Sequence, residues 1–191
     1  MAFAVNQNKN CMKKSAIILC LLFTATFAKA QFTSASLTAS GLTCSMCSKA
    51  VYSALVKVSS VETVKSNIAA SSYRIVFKKD AQVNLDDIKN AVKGAGFSVA
   101  KLQVTMNFNN VAVENDAHVN VSGENLHFLN VSQRTLNGEI TLTVLDKDFI
   151  STKEYKKFAQ YTSMKCYTTG FMDSCCKKDE ASATRIYHVT I

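Results

Sequence analysis

The sequence predicts an α+β fold: a βαββαβ unit over residues 31–106, followed by a small β-rich domain with one helix over residues 107–191. Three observations carry this. Apolar residues alternating with polar ones mark four strands in the first unit. Two segments with apolar residues three and four apart mark helices after the first and third of those strands. Beyond residue 107 helical periodicity gives way to short alternating runs.

The first strand is expected near residues 34–40. The first helix follows over 47–58, with Ala50, Val51, Ala54, Leu55 and Val58 on one face. Strand two lies near 61–67. In strand three, near 73–78, Tyr73, Ile75 and Phe77 alternate with Arg74 and Lys78. Helix two spans 85–93. Asn84 is its N-cap with Asp87 three residues on, Leu85, Ile88 and Val92 form its stripe, and Gly94 and Gly96 end it. Strand four alternates through Leu102, Val104, Met106 and Phe108. Two helices on one face of a four-stranded antiparallel sheet is the ferredoxin-like arrangement.

The polar run Asn107-Phe108-Asn109-Asn110 reads as the boundary. Past it, residues 119–121, 126–131, 139–145 and 185–191 read as strands, and Asn137-Gly138 is a hairpin signal. Ser151-Thr152-Lys153-Glu154 resembles a capping box opening a short helix through Phe158.

Residues 1–30 have the pattern of a signal peptide. Lys9, Lys13 and Lys14 precede an apolar run over 16–27, and Ala28-Lys29-Ala30 forms a small-x-small cleavage site before Gln31. The run falls short of the roughly 20 residues that span a bilayer, so no stable membrane span is expected after cleavage. The expected location is periplasmic or secreted. Cleavage removes four lysines and no acid, so the formal charge falls from +8 to +4. A mildly basic protein without a dense basic stripe is not expected to bind nucleic acid. Five cysteines remain, an odd number in an oxidising compartment, so at least one is unpaired or holds a ligand.

The sharpest chemical signal is Gly41-Leu42-Thr43-Cys44-Ser45-Met46-Cys47, at a strand-to-helix turn. Two sulfurs three residues apart can reach one soft cation. The helix N-terminus favours thiolate, the form that binds metal. Two sulfurs with no nearby histidine or carboxylate suit Cu(I) better than a hard ion. Hg(II), Ag(I), Zn(II) and Cd(II) are further candidates.

This stretch resembles the Gly-Met-Thr-Cys-x-x-Cys signature of heavy-metal-associated domains, found in copper chaperones, the N-terminal domains of metal-pumping ATPases and the periplasmic mercury-binding protein. The resemblance covers roughly residues 33–104. It extends to Val61-Glu62-Thr63-Val64, like the family's second strand, and Ala95-Gly96-Phe97, like the loop facing its metal. Leu42 replaces the usual Met, whose side chain in that family packs under the metal loop. Phe97 is similar to the transport-ATPase domains rather than the eukaryotic chaperones, which have Lys there. The resemblance implies a carrier that takes Cu(I), or a similar ion, from a donor protein and passes it to an acceptor such as a transport ATPase; the pattern of residues 1–30 makes it an exported one.

Two other classes compete: a dithiol redox protein, and a metal-sensing interaction module that docks to an envelope partner. Against a thioredoxin-like dithiol, the chain has no proline for the cis bond that fold relies on near its active site. Cys166, Cys175 and Cys176 form a second group, read either as a disulfide from Cys166 to one of the other two or as a second metal site. His118, His127 and His188 lie in or near strand-like runs and are read as structural or exposed rather than ligands. Asp86 and Asp87 read as a helix first-turn charge pair, and Lys156 and Lys157 as a solvated face. With no nucleophile–base set and no phosphate loop, an enzyme is not expected.

Overall fold

A computed structural model describes residues 32–172 and 184–191. The expected signal peptide at residues 1–30, Cys175 and Cys176 lie outside the described residues. The first unit is β1 (Phe32–Ser40), α1 (Ser45–Leu55), β2 (Val61–Asn67), β3 (Ser72–Phe77), α2 (Leu85–Gly94) and β4 (Ser98–Val113). This is the ferredoxin-like βαββαβ order. Helix α1 begins two residues earlier than its apolar spacing suggested, because the Cys44 side chain caps it by accepting the Cys47 N–H. The Asn84 side chain caps α2 as expected, accepting the Asp86 N–H.

After β4 come β5 (Ala117–Val121), β6 (Glu124–Phe128), β7 (Arg134–Val144), α3 (Thr152–Phe158), a 3₁₀ turn, α4 (Cys166–Thr169), β8 (Phe171–Met172), β9 (Thr184–Arg185) and β10 (Tyr187–Thr190). The capping box is present: Ser151 and Glu154 exchange side-chain and backbone hydrogen bonds. The single helix expected in this half is joined by the 3₁₀ turn and the one-turn α4.

Residues 31–106 and 107–191 are joined far more closely than the sequence suggested. All the long strands form one eight-stranded sheet, in the order β2-β3-β1-β4-β7-β10-β6-β5. Strand β4 pairs antiparallel with β1 on one side and β7 on the other. The run Asn107-Phe108-Asn109-Asn110 is therefore not a break; it lies inside β4. Phe108 is buried while Asn107, Asn109 and Asn110 face solvent, so the run reads as polar although it is a strand. Phe108 opposes Gly138 and Val111 opposes Leu136, which leaves one extra residue on β4. Asn110 and Gly138 both take positive φ at this bulge (50° and 77°). The expected hairpin at Asn137-Gly138 is thus a correction: the pair sits within β7, and its glycine serves the bulge.

The real hairpin turn is Ser122-Gly123, between β5 and β6. Val121 opposes Glu124, and both turn residues have positive φ (54° and 98°), as a type I′ turn requires. One continuous core spans both halves, from Val51 and Leu85 through Leu102 and Leu142 to Phe128 and Val189. A smaller cluster of Leu129, Leu145, Ile150 and Tyr167 lies under α3. The Tyr187 hydroxyl donates to Asn84 Oδ1 (2.9 Å) and accepts from the Leu85 N–H (3.0 Å), tying β10 to the start of α2. Among the described residues no helix is long and apolar enough to cross a membrane.

Candidate metal centre

The Cys44/Cys47 loop is set by its two flanking elements. Gly41 ends β1 with φ +86°, a conformation that side-chain-bearing residues rarely adopt, and turns the chain toward α1. Leu42 packs on the core beneath the loop, where the family resemblance placed this side chain. The first turn of α1 is pinned from below: Ser48 is buried, and the Tyr73 hydroxyl donates to its carbonyl at 3.1 Å. A β-carbon at Gly41 would lie 3.7 Å from the Phe97 ring, so Phe97 stands against the start of the loop.

On this base the two thiols converge. Cys44 Sγ and Cys47 Sγ are 3.0 Å apart, with Cys44 exposed and Cys47 half-buried. Thr43 Oγ1 lies 3.9 Å from Cys47 Sγ. Met46, between them, is 72% exposed. Hydrogen bonding, first from Cys44 and then from the Thr43 backbone and side chain, lowers the Cys47 pKa to about 7. At about 2.3 Å per metal–sulfur bond, a tetrahedral to linear S–metal–S unit spans about 3.8 to 4.6 Å. The thiols therefore need to open by only about 1–2 Å from their 3.0 Å separation to seat a soft ion. The exposed loop can supply that movement.

One prediction follows from the thiol chemistry. In the reduced protein, Cys47 should be alkylated through a thiolate titrating near pH 7, and Thr43→Ala should move that midpoint upward. Pulse alkylation with peptide mapping across pH 5–9 measures both. A Cys47 midpoint near the ordinary thiol value of about 8.5 contradicts it.

A second group assembles on the other side of the sheet. In the antiparallel β5–β6 pair His118 faces His127, and in the parallel β6–β10 pair His127 faces His188. The three rings form a row, with centroids 4.5 Å and 5.0 Å apart. Cys166, from α4, is buried against the row: its Sγ is 3.4 Å from His118 Nε2 and 3.8 Å from His127 Nδ1. His127 Nε2 meets Asp116 Oδ1 at 2.9 Å, and His188 Nδ1 meets Asp146 Oδ1 at 3.2 Å. Burial lowers the His118 pKa. Burial, then the charges of His188 and His118, lower that of His127 to about 4. His127 is accordingly neutral at pH 7.

The sequence reading took these histidines as structural or exposed; His127 and His188 are fully buried, His118 is half-buried, and the three stand together. A signal for the row was present in the chain. A two-residue turn at Ser122-Gly123 places residue 118 opposite 127, and reading that turn would have paired them. Asp86 is in the first turn of α2 as expected, but it also accepts from Arg185 Nε at 2.8 Å.

Residues 36–98 match the heavy-metal-associated domain family. Among solved structures, the chain is similar to the CopZ metallochaperone at 25% identity, over 36% of this chain and 100% of that one, with a TM-score of 0.33. It is similar to a copper binding domain from HMA7, a P-type ATPase, at 25% identity, over 38% of this chain and 92% of that one, with a TM-score of 0.33. It is also similar to oxidized MerP from Ralstonia metallidurans CH34 at 28% identity, over 36% and 97% of the two chains, with a TM-score of 0.33. No curated protein matches the chain.

Proposed function

We propose, from the premise that residues 36–98 form a heavy-metal-associated domain, that this protein captures a thiophilic metal ion at Cys44 and Cys47 and hands it to another protein. Cu(I) is the cargo we assign. The observation that carries this reading is the pair of accessible thiols, 3.0 Å apart at the start of α1, which among the described residues are not grouped with any histidine or carboxylate. Two soft donors and no hard ones select Cu(I) over harder ions. Capture releases the thiol protons to solvent, and the lowered Cys47 pKa supports capture near neutral pH.

Transfer proceeds by thiolate exchange. A thiolate of the acceptor attacks the bound ion, Cys44 departs and takes up a proton, and Cys47 releases last. The order rests on position: Cys44 is the exposed cap residue, whereas Cys47 lies within the helix and is half-buried. The acceptor is a metal-binding protein such as a transport ATPase. Native mass spectrometry of reduced protein titrated with Cu(I), Zn(II) and Hg(II) tests the assignment. One tight Cu(I) equivalent at this site is expected, and retention there of Zn(II) in preference to Cu(I), lost in the Cys44→Ser/Cys47→Ser variant, contradicts it.

The lowered Cys47 pKa also suits a dithiol redox protein. Equilibration in glutathione buffers separates the two readings, since a redox protein shows a defined reversible potential tied to turnover of a substrate disulfide.

Export completes the proposal. The mature chain should begin at or near Gln31, because Ala28-Lys29-Ala30 follows the short apolar run. The intact mass of exported protein should lack residues 1–30. A retained N-terminus that partitions with membranes refutes it.

A further inference from the structure

We propose that His118, His127 and Cys166 form a second metal site, chemically distinct from the Cys44/Cys47 loop, which takes a borderline divalent ion such as Zn(II). One ligand atom from each of the three residues lies within 4.8 Å of the other two. In a tetrahedral Zn(II) site, bonds of about 2.3 Å to sulfur and 2.1 Å to nitrogen put ligand sulfur and nitrogen about 3.6 Å apart. The two sulfur–nitrogen distances here are 3.4 and 3.8 Å. Both sulfur–nitrogen spacings therefore already match those of a bound ion.

The tautomer of His127 is arranged for ligation. Its Nε2–H donates to the Asp116 carboxylate, which leaves Nδ1 as a lone pair directed toward the Cys166 sulfur. A carboxylate behind a ligand histidine orients the ring and raises its basicity, an arrangement typical of metal sites. Binding exchanges the Cys166 thiol proton, released to solvent, for a metal–thiolate bond. Next to the cluster, the ring of His188 is held at Nδ1 by Asp146, while its buried Nε2 has no hydrogen-bond partner among the described residues.

One thiolate with two imidazoles is harder than two thiolates, so the two sites sort ions differently: Cu(I) to the dithiol, Zn(II) to the mixed set. The site also ties the β5–β6 hairpin to α4, about forty residues further along the chain.

The test uses the full-length mature protein, reduced and metal-free, with Cys44→Ser and Cys47→Ser together to silence the first site. Zn(II) should bind at one equivalent by native mass spectrometry. Co(II) in its place should give a thiolate-to-metal charge-transfer band. His118→Gln, at a half-buried position, should weaken Zn(II) by at least the roughly 10–100-fold that losing even an outer-shell partner costs. Cys166→Ser should remove the Co(II) thiolate band. Circular dichroism of both variants excludes loss of fold as the cause. Three results overturn the proposal: no Zn(II) bound in the Cys44→Ser/Cys47→Ser background, Zn(II) affinity unchanged by both His118→Gln and Cys166→Ser, or Cys166 from exported protein bonded to Cys175 or Cys176 and unresponsive to Zn(II).

Discussion

Replacing either Cys44 or Cys47 with Ser in the reduced protein should remove most of its Cu(I) affinity and leave the fold nearly unchanged. A two-coordinate site needs both thiolates, and a serine hydroxyl is a hard donor that does not replace one of them. The loss should exceed the roughly 10–100-fold that an outer-shell change produces. Stability should move by no more than about 0.5 kcal/mol, since both positions lie outside the core. For Cys44 there is a further reason. It is the N-cap of α1, and Ser is a preferred cap residue that can accept the same Cys47 N–H. Competition against a Cu(I) chelator of known affinity, with thermal melts in parallel, measures both quantities. Unaltered Cu(I) affinity in the double Ser variant refutes the site.

Leu102→Ala should destabilise both halves of the protein together, by about 2–5 kcal/mol. Leu102 is fully buried in β4 opposite Leu37, in the strand that joins the two halves of the sheet. Its removal leaves a cavity in a core that runs without interruption from α1 to β10. Unfolding should remain a single transition, and amide exchange in β3 and β6 should accelerate in step. If β6 kept its protection while β3 lost it, the halves would be independent units and the boundary near residue 107 would be an energetic one.

The first βαββαβ unit was legible because each element carries a local signal. Leu85, Ile88 and Val92 mark α2, Tyr73, Ile75 and Phe77 mark β3, and the Gly41-to-Cys47 motif marks the turn between β1 and α1. What was not legible depends on pairing. Asn107, Asn109 and Asn110 look like a linker because their strand has one solvated face, and no local pattern says that β7 will bond to it. Asn137-Gly138 carries ordinary hairpin chemistry but meets a bulge instead. The dithiol was visible because its ligands are three residues apart. Of the histidine row only the His118–His127 pairing was readable, through the turn at Ser122-Gly123; His188 joins it through a parallel pairing that no local pattern signals.

The placement of β10 has a kinetic consequence. It lies between β7 and β6, and Tyr187 reaches back to Leu85, 102 positions earlier. Closing so long a loop costs chain entropy before any new contact repays it, and contacts of this range slow folding. Until β10 inserts, β6 and β7 each present an unpaired edge that another chain could extend. The β5–β6 hairpin can form early from local contacts, but it joins the sheet only through this late strand. The interval before insertion is when the nascent protein is most exposed to self-association.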